Sequence, residues 1–247
     1  MNKKHRVSFT YLSQEDLLQA CSLDIRMAME VAEKAMLAFE AHSILFPEKI
    51  VQIFDQASQE RINCLPATLL EEQVCGVKWV SVFPANPVRY GVQNLSAILI
   101  LSEIEKGFPI AVMDGTLASN MRVAAMGAIA AKHLARSNSE VIGFIGAGEQ
   151  AKMHLLSMKV VRPELKQCRV AARTAEEEQQ FIDELSPLFP DMEFVAANTH
   201  GRAAIDGADI LVTATSAQAP LLKAAWMKPG AFYSHIGGWE DEYQVAL

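Results

Sequence analysis

The chain has 247 residues, 51% of them hydrophobic, and a formal net charge of −7. That size and apolar content suffice for one large or two modest domains with a substantial core, while an acidic balance with both signs interspersed excludes a nucleic-acid binder, which needs a basic face or stripe. No apolar run approaches the ~18 residues of a membrane span, and polar residues at 13–16 interrupt the stretch where a signal peptide needs its apolar core, so no membrane partner and a cytoplasmic location are expected.

From the N-terminus, residues 13–16 read as a capping box opened by Ser13. Over 23–41 the apolar residues Ile25, Met29, Ala32, Met36 and Phe39 recur at helical spacing, and together these signals predict an amphipathic helix pair. Short apolar runs at 50–54, 77–83, 95–102 and 109–113, separated by Pro, Asn, Asp and Gly, predict strands of a mixed sheet. Residues 116–136 are rich in alanine, whose small side chain lets a helix pack closely on both sides. They predict a connecting helix within 116–138, ended by Ser137, Asn138 and Ser139. Past Glu140 the alternation is regular: strand Val141–Ile145, helix Glu149–Val161, strand 169–172, helix 176–185, strand Glu193–Ala196, a short helix at 202–206, and strands 209–214 and 231–236. Strands alternating with helices predict a parallel sheet with right-handed crossovers. The expected fold class is α/β, a Rossmann-type doubly wound parallel sheet over 139–247 preceded by an α+β domain over 1–115.

The stretch 141–151 carries the most chemical information. A buried apolar strand breaks into G-x-G-x-x-A, written by Gly146, Ala147, Gly148, Glu149, Gln150 and Ala151, and a helical pattern follows. Gly146 suits a tight turn, Gly148 lets the backbone approach a phosphate, and Ala151 keeps the helix close to the strand. The helix N-terminus then presents its N–H groups to a pyrophosphate. The motif alone recurs by chance, but with its strand before and its helix after it predicts a dinucleotide site.

After the second strand of this domain, where an NAD site places an acid for the ribose hydroxyls, stand Arg173 and Thr174. A planar cation and a hydroxyl suit a 2′-phosphate, which favours NADP(H) over NAD(H). The plainer reading is a solvated arginine beginning a helix. Thr215 and Ser216 follow the strand at 209–214, at the carboxyl edge where ligands bind, and either line the nicotinamide side or cap the next turn.

Arg122 lies near the start of the alanine-rich helix, where a cation opposes the helix dipole and a substrate carboxylate would remove the conflict. Lys78, on an otherwise apolar strand, is a second cation for such a carboxylate. From spacing alone the plainer readings are favoured: an ion pair of Arg122 with Asp114 or Glu140, and an outward-facing Lys78. Cys21, Cys64, Cys75 and Cys168 form no C-x-x-C pair and read as buried free thiols, and the scattered histidines predict no metal site.

Six linked stretches, GVKWV at 76–80, GFPIAVMDG at 107–115, MRVAA at 121–125, IGAGEQA at 145–151, ADILVTAT at 208–215 and PGAFYSHIGG at 229–238, make the chain resemble the ornithine cyclodeaminase/mu-crystallin family over roughly 49–238. The resemblance implies a substrate and dimerisation domain followed by a Rossmann domain, assembled as a homodimer. It also implies use of NAD(P)(H) to oxidise or reduce the carbon–nitrogen bond of amino acids and cyclic imino acids. It assigns Lys78 and Arg122 to the substrate carboxylate, reversing the readings from spacing, and puts Lys49 near the family's other carboxylate-binding cation. Mu-crystallin-like members also carry an arginine and a threonine after the second strand, in line with Arg173 and Thr174.

Two departures bear on the chemistry. In cyclodeaminases of the family, the glycine pair matching Gly237 and Gly238 is followed by an aspartate that carries the proton at the substrate nitrogen, whereas here Trp239 follows, and an indole N–H only donates. Glu240 or Asp241 is the expected replacement. Family members also continue for several tens of residues, so the Rossmann domain is expected to be incomplete and the chain a fragment or truncated product. The expected activity is an NAD(P)(H)-dependent oxidoreductase of an α-amino or α-imino acid, with Lys78, Arg122, Glu240 and Asp241 as its catalytic group. The alternatives are ornithine cyclodeaminase proper and a protein that binds NADPH and a small ligand without turnover.

Overall fold

The computed structural model describes residues 6–20, 24–217 and 219–237, and the chain divides into two compact units, Met1–Met121 and Arg122–Leu247. The division falls inside a helix, α4 (Thr116–Leu134), rather than at either of its ends.

In the first unit Ser13 caps α1 (Gln14–Gln19) through the capping box expected: Asp16 N–H donates to Ser13 Oγ at 3.2 Å, and Asp16 Oδ2 accepts the Ser13 N–H at 2.7 Å. Asp24 caps α2 (Ile25–Glu40) by accepting from the N–H groups of Arg26 and Met27. Only Met29 and Ala32 of the apolar stripe on α2 are buried, while Met36 and Phe39 stay exposed. The strands are β1 (Thr10–Leu12), β2 (Ile44–Leu45), β3 (Ile50–Asp55), β4 (Glu60–Leu69), β5 (Val74–Val82), β6 (Leu95–Glu103) and β7 (Pro109–Asp114), with α3 (Asn86–Tyr90) between β5 and β6. They form one sheet in the order β1-β7-β6-β5-β4-β2, with β3 also paired to β4. All pairs are antiparallel except β1 with β7.

The apolar pattern missed β4, because Arg61, Asn63 and Pro66 interrupt it. Pro66 is tolerated there: β3 reaches only Cys64 and β2 begins at Thr68, so a gap in the neighbouring strands removes the need for an N–H at that position. Alternation along β5 gives the sheet two unlike faces. Trp79 and its cross-strand partner Ile98 are 41% and 48% exposed, whereas Val80 and its partner Ala97 are buried.

The second unit holds β8 (Val141–Ile145), α5 (Glu149–Val161), β9 (Gln167–Ala171), α6 (Ala175–Leu185), β10 (Glu193–Ala196), α7 (Gly201–Ile205), β11 (Ile210–Thr213) and β12 (Phe232–His235). All pairs are parallel, in the order β10-β9-β8-β11-β12. This is the Rossmann-type doubly wound sheet that the sequence predicts. Strand order reverses between β8 and β11, so the crevice at their carboxyl ends is the topological switch point, where ligands of such sheets bind. Both faces are covered, which is why β8 is apolar throughout. Ile142 and Phe144 join Leu155, Met158 and Phe181 on one side, and Ile145 joins Ala204, Ile205 and Leu211 on the other. β11 is one residue shorter at each end than the strand predicted at 209–214, although Asp209 still donates its N–H to the Val141 carbonyl and accepts from the Phe232 N–H, both at 2.8 Å. The Asp209 carboxylate accepts the N–H groups of Glu140 and Val141 at 2.9 Å each and pairs with Lys228.

The alanines of α4 have the role expected of small residues. Ala124, Ala125, Ala128 and Ala131 expose nothing, and the Ser157 hydroxyl of α5 donates to the Ala124 carbonyl at 3.1 Å. At Gly127 a Cβ would collide with the imidazole of His154. That ring is fully buried; its Nδ1 donates to the Gln150 carbonyl at 2.7 Å, and Nε2 has no hydrogen-bond partner among the described residues. Burial therefore lowers the His154 pKa below the usual 6.5, and the Gln150 carbonyl offsets this only in part.

The unfolded chain takes up a proton below pH 6.5 that the folded ring refuses until its own lower pKa is reached. Stability should be complete above that pH and fall as pH drops below it, by up to about 1.4 kcal/mol per unit. Urea unfolding between pH 8 and pH 5 measures the slope, and His154→Gln should flatten it. An identical slope in the variant would mean that another group carries the effect.

Candidate functional site

The glycine turn lies at the switch point. Gly146 has φ +104°, a conformation that L side chains rarely adopt, and a Cβ there would collide with the Ala214 carbonyl at the end of β11. Its N–H donates to the Ala171 carbonyl at 2.8 Å, tying the turn to the end of β9. Ala147 packs on the core beneath, and Ala151 is fully buried, as close approach of α5 to the sheet requires.

Gly148 is the N-cap of α5, makes no side-chain cap, and has open space where a Cβ would stand. The first-turn N–H groups of α5 therefore meet no capping side chain from their own N-cap. Oriented N–H groups beside open space, at the positive end of a helix, fit a phosphate anion. Glu149 does not intrude on that fit; it is exposed and pairs with Lys152 at 3.0 Å, while the Gln150 carbonyl is taken by His154.

Arg173 and Thr174 stand between β9 and α6. Thr174 is the N-cap of α6, its hydroxyl accepting from the Glu177 N–H at 3.2 Å, and Arg173 is exposed and paired with Glu177. Both plainer local roles are thus filled, the arginine at a helix start and the hydroxyl as a cap. Thr215 lies beside the Gly146 turn, and its hydroxyl accepts from the Ala217 N–H at 3.3 Å, a turn cap; Ser216 is exposed.

Arg122 lies well past the first turn of α4, so the dipole conflict expected of it does not arise. Neither proposed ion-pair partner holds it: Glu140 pairs with Lys166 at 2.6 Å, and Asp114 caps α4 through the N–H and hydroxyl of Thr116. Arg122 has no salt-bridge or hydrogen-bond partner among the described residues. Its side chain reaches solvent, yet surrounding protein costs it hydration and lowers its pKa, leaving a guanidinium that stays charged.

Lys78 does not face outward. It shares the face of buried Val80, is half-buried, and is flanked across the sheet by Leu65 and Leu99. Lys49 is exposed just before β3. Cys168 is a buried free thiol whose burial pushes its pKa up, away from thiolate chemistry, but Cys64 and Cys75 are only half-buried because the sheet face bearing Trp79 is open. Trp239, Glu240 and Asp241, with Gly238 and Cys21, lie outside the described residues.

Two further groups escaped the sequence. Glu178 is fully buried, and its carboxylate accepts from the N–H groups of Ala172, Asn198 and Thr199 at 3.0, 3.0 and 2.7 Å, joining the loop after β9 to the loop after β10. Its phase with buried Phe181 and Leu185 on α6 was a usable signal, hidden by the acidic run Glu176, Glu177, Glu178. At the carboxyl edge of β11 and β12, Thr213 Oγ1 lies 2.8 Å from Tyr233 Oη and 3.2 Å from His235 Nδ1. No spacing rule links those three residues.

The sequence profile of the ornithine cyclodeaminase/mu-crystallin family matches residues 13–244. Alanine dehydrogenase of Archaeoglobus fulgidus is 32% identical over 228 residues, 92% of this chain and 66% of that protein. Among solved structures, the Δ1-pyrroline-2-carboxylate reductase of Thermococcus litoralis, in complex with NADH and L-proline, superposes with a TM-score of 0.86 at 28% identity, over 92% of this chain and 68% of its own. An archaeal alanine dehydrogenase dimer with bound NAD gives 0.80 at 30% identity, over 91% and 66%. The chain spans about two thirds of the length of these relatives.

Proposed function

Because the chain belongs to the ornithine cyclodeaminase/mu-crystallin family, we propose that it is an NAD(P)(H)-dependent oxidoreductase acting on the carbon–nitrogen bond of an α-amino or cyclic α-imino acid. The observation that carries the reading is the uncapped N-terminus of α5 beside open space at Gly148, at the switch point of a parallel sheet. When bound, the dinucleotide supplies or removes the hydride at the substrate α-carbon. The N–H groups after Gly148 hold the pyrophosphate, and Thr215 and Ser216 line the nicotinamide side. NADP(H) is the preferred form on this reading, held by Arg173 and Thr174, with NAD(H) accepted.

Lys78 and Arg122 bind the substrate carboxylate and so orient the α-carbon, with Lys49 as a further cation. A charged guanidinium without an internal partner and a lysine in an apolar row are both suited to an incoming anion. Glu240 or Asp241 moves the proton at the substrate nitrogen, a role assigned on sequence grounds. A homodimer is supported by the exposed apolar side chains of Trp79, Ile98 and Ile100, which lie together on one face of the sheet. A cytoplasmic location goes with this metabolic role.

The test is a panel of amino acids, keto acids with amines, and cyclic imines, each with NADPH and NADH, followed at the nicotinamide absorbance. Turnover is expected with at least one cyclic imine or keto acid, and Arg122→Ala should lower kcat/KM about a hundredfold, the worth of a charged carboxylate contact. Light scattering on the same sample should give the mass of a dimer. Cofactor binding without any turnover would favour the second reading, a ligand-binding protein, to which Trp239 in place of the aspartate points. Ammonia and proline released from ornithine would identify a cyclodeaminase instead.

A further inference from the structure

The cation assigned to the 2′-phosphate is already occupied from within. Arg173 Nη2 donates to Glu177 Oε1 at 2.5 Å, Nε to Oε2 at 3.4 Å, and the Arg173 backbone N–H to Oε2 at 3.2 Å. A carboxylate and a phosphate present the same kind of paired oxygen acceptors to a guanidinium fork, and a phosphate brought beside Glu177 would meet a like charge. We infer that Glu177 is a specificity-determining residue, an internal carboxylate that holds the 2′-phosphate position and so narrows, without reversing, the preference for NADP(H): NAD(H) binds without disturbing it and NADP(H) must displace it. The inference rests on the reading of this loop as the adenosine side of the dinucleotide site.

The geometry makes displacement feasible. The pair is open to water, with Arg173 72% and Glu177 37% exposed in their side chains, and exposed ion pairs are weak. Glu177 holds the loop only through the Arg173 N–H, and the loop has other fastenings. Glu178 secures Ala172, Asn198 and Thr199, and Thr174 caps α6 by accepting the backbone N–H of Glu177, which no side-chain substitution removes. Glu177 therefore narrows the preference between cofactors without being needed to build the site.

The test is direct binding to the full chain, following nicotinamide fluorescence with NADPH and with NADH at fixed salt. Glu177→Gln should tighten NADPH relative to NADH by about three- to tenfold, with NADH unchanged. Arg173→Ala should lower that ratio below the wild-type value, and Glu177→Ser is the second variant should the glutamine form melt early. An equal ratio in wild type and variant, with both cofactors still bound, overturns the inference and leaves the dinucleotide reading intact. Failure of the wild type to bind either cofactor overturns the reading, and the inference with it.

Discussion

Arg162→Met is expected to cost about 2–4 kcal/mol of folding stability, because it removes a buried donor group and leaves backbone carbonyls short of a partner. Arg162 is only 9% exposed and ends α5, yet it serves α4. Its Nη2 donates to the carbonyls of Ala131, Lys132 and Ala135 at 2.7, 3.2 and 2.6 Å, its Nε to Arg136 at 3.1 Å, and its Nη1 to Val161 at 2.8 Å. The last carbonyls of a helix have no partner within it, and a buried polar group left unpaired costs about 1–3 kcal/mol. One guanidinium adds donors at this end of the helix, beside the Ala135 N–H that also meets the Ala131 carbonyl and the Ser139 N–H that also meets the Arg136 carbonyl, and brings a positive charge to the negative end of α4.

Methionine fills similar space with no donor. Lysine keeps the charge but not the planar fork, so Arg162→Lys should recover only part of the loss. Urea unfolding gives the answer through the midpoint shift at constant slope. A loss below 1 kcal/mol in the methionine variant would show that water replaces the guanidinium.

The second large effect is expected at the glycine turn, where two neighbouring substitutions should separate folding from binding. Gly146→Val places a side chain against the Ala214 carbonyl at φ +104°, so the turn must move and the end of β8 with it. Both stability and NADPH affinity should fall, the latter about ten- to a hundredfold, the worth of one hydrogen bond to a charged phosphate. Gly148→Ala differs, because its φ of −79° suits any residue and its Cβ would touch nothing in the protein. Its melting temperature should match wild type while NADPH binding weakens tenfold or more, the methyl group standing where the phosphate approaches. Undiminished binding in Gly148→Ala would remove the pyrophosphate from this turn.

The parts of the fold legible in the sequence are those whose cause is local. Val141–Ile145 and Glu149–Val161 lie where the pattern puts them, because a strand buried on both faces must be apolar throughout and a glycine with positive φ followed by a helical period leaves little else. The Ser13 box is likewise written within one turn. β4 was hidden because its Pro66 is tolerated only through a gap in neighbouring strands, and Glu178 because its partners are N–H groups of two loops far along the chain. Arg162 and the pairing of Glu177 with Arg173 look, in sequence, like ordinary charges on helices.

The sequence by itself therefore determined the family, the parallel sheet and the glycine turn, since hydrophobic periodicity and turn stereochemistry act between residues a few positions apart. Only the tertiary structure decided that Lys78 shares the buried face of its strand, that Arg162 closes the end of another helix, and that Arg173 is already paired. A charged side chain takes its role from the acceptors and the loss of water around it, and the acceptors that matter are set by folding as well as by neighbours in the chain.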